Sequence, residues 1–173
     1  PMEFFQTMES EPQLRVVVNG LAATCESAEG CGFEHSAAST PAVTSVVASD
    51  LSVKYNSTLR INGTRFTPDT TVHLGGVPCA ISAQSSAQLD CVVGEVPGGP
   101  VQLLVHEPSM GDASGNFTLD AALQVTSLSV VEGSTEGGLL LTISGSGFDT
   151  AEPTAHVVTV GNDSYCTVYA RKN

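Results

Sequence analysis

Apolar and polar residues alternate along this chain in short runs, each closed by a cluster of turn formers. Leu14, Val16 and Val18 alternate with Arg15 and Val17, and Leu59, Ile61 and Gly63 alternate with Arg60 and Asn62. Val72 and Leu74 flank His73. Val101, Leu103 and Val105 alternate with Gln102, Leu104 and His106, and Leu139, Leu141 and Ile143 repeat the pattern. A period of two turns one face of an extended segment toward a core, so these runs predict strands. Helical periodicity is not sustained over any window of about 11 residues. Turn clusters separate the runs: Asn19-Gly20, Gly75-Gly76, Pro97-Gly98-Gly99-Pro100, Gly111-Asp112 and Gly137-Gly138. Short strands with turn signals about every 8–12 residues predict an all-β sandwich or barrel.

The pattern occurs more than once. Val-Thr-Ser stands at 43–45 and again at 125–127, and Leu59-Arg60-Ile61-Asn62-Gly63-Thr64-Arg65-Phe66 is echoed by Leu141-Thr142-Ile143-Ser144-Gly145-Ser146-Gly147-Phe148. Every anchor is displaced by 82 residues. A fixed displacement with shared chemistry marks one structural unit used repeatedly. Leu14–Val18 corresponds to Val101–Val105, and Cys31-Gly32-Phe33-Glu34 corresponds to Gly115-Asn116-Phe117-Thr118, the expected final strand of a unit ending near Leu119. The chain is therefore expected to hold the end of one unit (1–39), a whole unit (40–121) and the start of a third (122–173). Only a few residues connect them, around Ala38–Pro41 and Asp120–Leu123, which predicts a semi-rigid rod.

Composition narrows the function classes. Of 173 residues, 41% are hydrophobic and only 14% charged, and 18 acids against 6 bases give a net charge of −12. Such a surface repels phosphate backbones and anionic lipid, so nucleic acid is not an expected partner. The sequence has no run of about 18 apolar residues of the kind that spans a membrane. Pro1 is not followed by a basic segment and an apolar core of the secretory type. The chain is expected to be an internal section of a longer protein, with any membrane anchor outside it.

Five cysteines, Cys25, Cys31, Cys79, Cys91 and Cys166, fall as two local pairs and one remainder. Neither pair has the spacing or the neighbouring histidines of a zinc site, and two local disulfides fit better. Five thiols in a reducing compartment are the competing reading. Cys166 occupies the repeat position of Cys79, so its partner is expected beyond residue 173. Four of six asparagines, Asn56, Asn62, Asn116 and Asn162, lie in Asn-x-Ser/Thr sequons unblocked by proline. Together with the cysteines they point to a secreted or cell-surface protein. Asn56 and Asn162 fall in turn-like stretches, and Asn62 is expected to face outward from its strand.

The segments TLRINGTRF, VHLGGVPC, a second cysteine twelve residues on, PGGPVQLLV and GNFTL, with the second copy GGLLLTISGSGF and VTVGNDSYCTV, resemble the IPT/TIG domain. That resemblance implies tandem immunoglobulin-like β-sandwiches. The Cys31-Gly32-Phe33 ending, followed by the restart at Thr40-Pro41, resembles the repeat arrays of fibrocystin and fibrocystin-like receptors. His35 stands where such endings commonly carry an aromatic residue. The absence of tryptophan and the short Cys79–Cys91 spacing separate this unit from an antibody domain, whose bridge joins strands far apart in sequence. Here the bridge is expected to tie neighbouring strands of one sheet.

The residue pattern gives catalytic and metal chemistry little support. His35, His73, His106 and His156 are scattered singly, and His73 and His106 are expected at outward, solvated strand positions. Ser146-Gly147-Phe148 lacks the surroundings of a nucleophile elbow, and no helix follows Gly145-Ser146-Gly147 to receive a phosphate. Glu132, Glu136, Asp149, Glu152 and Asp112 lack the ligand spacing of a calcium loop, and a solvated acidic face is expected. Phe4, Phe5 and Met8 are expected to belong to the core of the first unit rather than to an adhesion surface. The sequence thus implies a non-catalytic extracellular module with neither cofactor nor metal, whose partners are proteins, homophilic or heterophilic. A binding module of a secreted polysaccharide-active or adhesin protein is the alternative, and a nuclear DNA-binding relative is disfavoured by charge.

Overall fold

The computed structural model describes residues 14–26, 30–33, 36–50, 52–149, 152–161 and 164–169. Two compact units emerge, Pro1–Thr40 and Pro41–Asn173. Strand is the dominant structure, and a 3-10 turn at Pro153–Ala155 is the one helical element among the described residues.

In the first unit, β1 (Val17–Val18) and β2 (Leu21–Ala22) form a small antiparallel hairpin. Its turn is Asn19-Gly20, with φ of 49° and 82°, the left-handed pair that matches the twist of a two-residue hairpin. The alternation of Leu14, Val16 and Val18 does not translate into burial. All three are exposed, because among the described residues no second layer lies against so short a hairpin.

The second unit opens with a sandwich. One sheet has the order β3 (Ala42–Ala48), β4 (Thr58–Thr64), β8 (Gln88–Val92), β7 (Ala80–Gln84). The facing sheet is built on β9 (Gly99–Glu107), which pairs with β5 (Thr71–Leu74), β10 (Gly111–Asp112) and β11 (Phe117–Ala121), while β6 (Val77–Pro78) extends it beyond β5. Alternation sets the core: Leu59, Ile61, Leu89 and Cys91 from one sheet meet Val72, Leu74, Val101, Leu103 and Val105 from the other, all buried. Each such aliphatic side chain contributes roughly 1.5–3 kcal/mol on burial. Strand β11 begins at Phe117, not Gly115, because Ser114 is committed elsewhere: its N–H donates to Pro41 O and its carbonyl accepts from Val43 N, both at 2.8 Å.

After the sandwich, β12 (Gln124–Leu128) pairs with β13 (Ile143–Ser146), and β14 (Val158–Val160) pairs with β15 (Ser164–Cys166). The β12–β13 pair reproduces β3–β4 down to an irregularity. Register shifts between Val43 and Ser45, and again between Val125 and Ser127. At each shift a threonine hydroxyl donates to the partner strand at 3.1 Å, Thr44 to Asn62 O and Thr126 to Ser144 O. The predicted run from Leu139 is shortened, since the Thr142 amide is taken by Ser129 Oγ at 2.9 Å and the ladder begins at Ile143. Side-chain burial also differs between the copies. Val43 and Leu74 are 8% and 1% exposed, whereas Val125, the counterpart of Val43, and Val160, which precedes Gly161 as Leu74 precedes Gly75, are 58% and 60% exposed.

Candidate functional site

The cysteines lie where the chain changes sheets. Cys79 follows β6 and precedes β7, and its N–H donates to Val72 O on β5 at 2.8 Å. Cys91 lies on β8 in the other sheet, and the two are joined by a disulfide with Cα atoms 5.5 Å apart. The bridge therefore clamps the corner between the two layers, and the expectation of a bridge confined to one sheet is corrected: Cys79 is held by β5 before β7 begins. Cys25 and Cys31 are likewise joined, with Cα atoms 5.8 Å apart, and Leu14 N–H donates to Cys31 O at 3.1 Å. Cys166, at the end of β15, is exposed and outside any disulfide.

Three sequons can be placed. Asn56 is exposed in a turn, in the left-handed region at φ 67°. The turn is fastened by Ser57, whose buried hydroxyl donates to Lys54 O at 2.7 Å and accepts from Lys54 N. Asn116 is exposed between β10 and β11. Asn62 is only half-buried, and its Nδ2 donates to Ser45 Oγ at 2.9 Å across the β3–β4 pair. It faces outward between buried Ile61 and Gly63, and Ser45 offers it an acceptor on that same outer face. Asn162 lies outside the described residues.

The histidines remain separate. His106 Nδ1 lies 2.7 Å from Asp112 Oδ1 at the surface. His156 Nε2 accepts from the Asp149 N–H at 2.9 Å, and its ring centroid is 5.9 Å from that of Phe148. His73 keeps its outward position between buried Val72 and Leu74 but is less solvated than expected: it is half-buried, and its Nδ1 is shut away from water with no hydrogen-bond partner, because β6 extends the sheet beside it. Glu132, Glu136 and Glu152 are exposed, and Asp149 is half-buried. Among the described residues no three His, Cys, Asp or Glu side chains converge as metal ligands. His35, Phe4, Phe5 and Met8 lie outside the described residues.

One polar site escaped the sequence reading. Glu107 is 2% exposed. Its Oε2 accepts from Thr67 Oγ1 and Thr70 Oγ1, each at 2.7 Å, and from Thr67 N–H at 3.2 Å, while Oε1 accepts from Ser109 Oγ at 3.1 Å. Burial alone would push this carboxyl up, but the hydrogen bonds from Thr67, Thr70 and Ser109 outweigh it and hold the pKa at about 2. The signal was present in the sequence, since Glu107 continues the inward series of Val101, Leu103 and Val105. On the outer face of the other sheet, Arg60 Nε and Asp90 Oδ1 form an ion pair at 2.9 Å, which lowers the Asp90 carboxyl. Both carboxylates tie strands and loops together.

The sequence profile of the IPT/TIG domain matches residues 41–120 and 123–172. Fibrocystin-L of Mus musculus is 29% identical over 175 residues, covering 97% of this chain, and fibrocystin-L of Homo sapiens is 30% identical over 172 residues, covering 96%. The chain spans 4% of the length of each of these relatives.

Proposed function

The chain belongs to the IPT/TIG domain family, and we propose that it is a non-catalytic structural and interaction module in the extracellular part of a large receptor-like protein. In this reading residues 1–39, 40–121 and 122–173 are the end, the whole and the start of consecutive units in a semi-rigid array. The carrying observation is the repetition of β3–β4 in β12–β13, register shift and threonine bond included. Repetition of that kind serves spacing and presentation of surfaces. The alignment with fibrocystin-L over nearly the whole chain supports a cell-surface setting. So do the paired cysteines, since disulfides persist in oxidising compartments. The partners in this reading are proteins, and anchoring to the membrane occurs through a segment outside this chain.

Peptide mass spectrometry of secreted protein without reduction tests the proposal. Cys25–Cys31 and Cys79–Cys91 linked peptides are the expected result. Free thiols at all five cysteines would overturn the extracellular assignment.

A further inference from the structure

We propose that Gly98 and Gly147 form a docking joint that holds the β12–β13 pair against the end of the preceding sandwich, so that the two move as one body. The inference rests on reading 40–121 and 122–173 as consecutive units, and it names the surface through which one repeat grips the next.

The joint is made of backbone. Gly98 N–H donates to Gly147 O at 2.8 Å. The connecting residues pass between the two glycines. A Cβ on Gly98 would lie 2.8 Å from Leu123 Cβ and 3.2 Å from Leu123 N, closer than packed atoms come. A Cβ on Gly147 would meet Ala122 O, and Leu123 Cα at 3.0 Å. Both positions are thus closed to a side chain by the same short connection. The sandwich ends beside it, because Ala121 closes the β11–β9 ladder opposite Gly99. Next to the bond, Phe148 and Asp149 face Val77 and Pro97 across a groove of about 340 Å³.

The repeat supplies an internal control. Gly147 has φ 86°, and its counterpart 82 residues earlier is Arg65, with φ 65°. The left-handed turn itself therefore accommodates a side chain in this fold. Glycine at 147 answers to the close approach of Ala122 and Leu123, which draws its carbonyl within reach of Gly98. The partner this surface fits is the turn after the second strand of a following repeat: the 95–98 loop offers an amide, and the next unit offers the Gly147 carbonyl just after β13.

The test uses the full chain and amide exchange with ¹⁵N relaxation. In the unaltered protein the residue-98 amide should exchange at least about tenfold more slowly than an unstructured amide, the size expected of one net hydrogen bond, and residues 41–121 and the β12–β13 pair should share one rotational correlation time. Gly98→Ala should abolish that protection and separate the two correlation times. Adding Leu123→Gly removes the Cβ that makes the closest clash with the new methyl and leaves only the tight backbone contacts at 3.2 and 3.3 Å, so it should restore part of both. An unprotected amide 98 in the unaltered protein, or separate tumbling there, overturns the joint. So does a folded Gly98→Ala chain indistinguishable from the parent. Should Gly98→Ala fail to fold, the measurements on the unaltered chain and on the double variant decide. The cysteine linkages report on the module reading by a separate experiment, so the two can fail independently.

Discussion

Glu107 and Thr70 are 37 residues apart in sequence, yet the Thr70 hydroxyl donates to Glu107 Oε2 at 2.7 Å inside the sandwich. With Thr67 and Ser109 it holds the carboxyl at about 2, well below its ordinary 4.5. The folded pKa lies below the unfolded one, so the stabilisation is complete above about pH 4.5 and is lost as pH falls toward 2. We expect the urea midpoint of the parent to drop through that window. Glu107→Gln should flatten this part of the profile and cost on the order of 1–3 kcal/mol at neutral pH. Parallel profiles for parent and variant would assign the acid sensitivity to other groups.

The Cys79–Cys91 bridge closes a loop of 12 residues at the corner between sheets. Replacing both cysteines by serine should lower stability by about 3 kcal/mol on loop entropy alone, with further loss because Cys91 is fully buried in the core. Replacing Cys25 and Cys31 should leave the main unfolding transition in place, since they lie in the separate unit Pro1–Thr40. Denaturation curves of the two variants check this, and equal shifts in both would contradict it.

Much of this structure could be read from the period of the sequence, and the exceptions have physical causes. Leu59 and Ile61 turn inward while Arg60 is exposed, as alternation requires. The copies at 43–66 and 125–148 share even their register shift. Burial of Val125 or Val160 was not legible, because burial depends on a second layer and not on the strand itself. Glu107 was passed over because its charge disguised an inward position that only hydroxyl donors remote in sequence make tolerable. His73 does face outward between buried Val72 and Leu74, but its partial burial was not legible because the pattern along β5 carries no information about β6 beside it. The corner at Cys79 was missed for a similar reason: sequence spacing counts residues and does not show a change of sheet.

Gly63 repeats at Gly145, and each lies against backbone of its neighbouring strand. A Cβ at 63 would strike Ala42 O and the Phe66 ring, and one at 145 would strike Gln124 O. Gly63→Ala must therefore part β3 from β4 or displace a buried phenylalanine. We expect a loss of about 1–3 kcal/mol, the scale of overpacking a filled core, measured as a shift in thermal midpoint. Gly76→Ala, where a Cβ would meet nothing within 4 Å, serves as the comparison, although its φ of 81° adds some backbone strain. A Gly63→Ala chain as stable as Gly76→Ala would show that the strand pair yields without cost.

The sequons should behave unequally. Asn56 and Asn116 are exposed in loops, whereas the Asn62 amide is bonded to Ser45 across a strand pair. In protein secreted from a glycosylating host, Asn56→Gln and Asn116→Gln should each remove the mass of one glycan and leave the unfolding midpoint within about 0.5 kcal/mol of the parent, as for other surface changes. Asn62→Gln should do the opposite. Its longer side chain cannot keep the short bond to Ser45, so stability should fall by about 0.5–1.5 kcal/mol, with little change in glycan mass. Loss of a full glycan at Asn62→Gln with unchanged stability would show that this asparagine serves as an acceptor and not as a cross-strand tie.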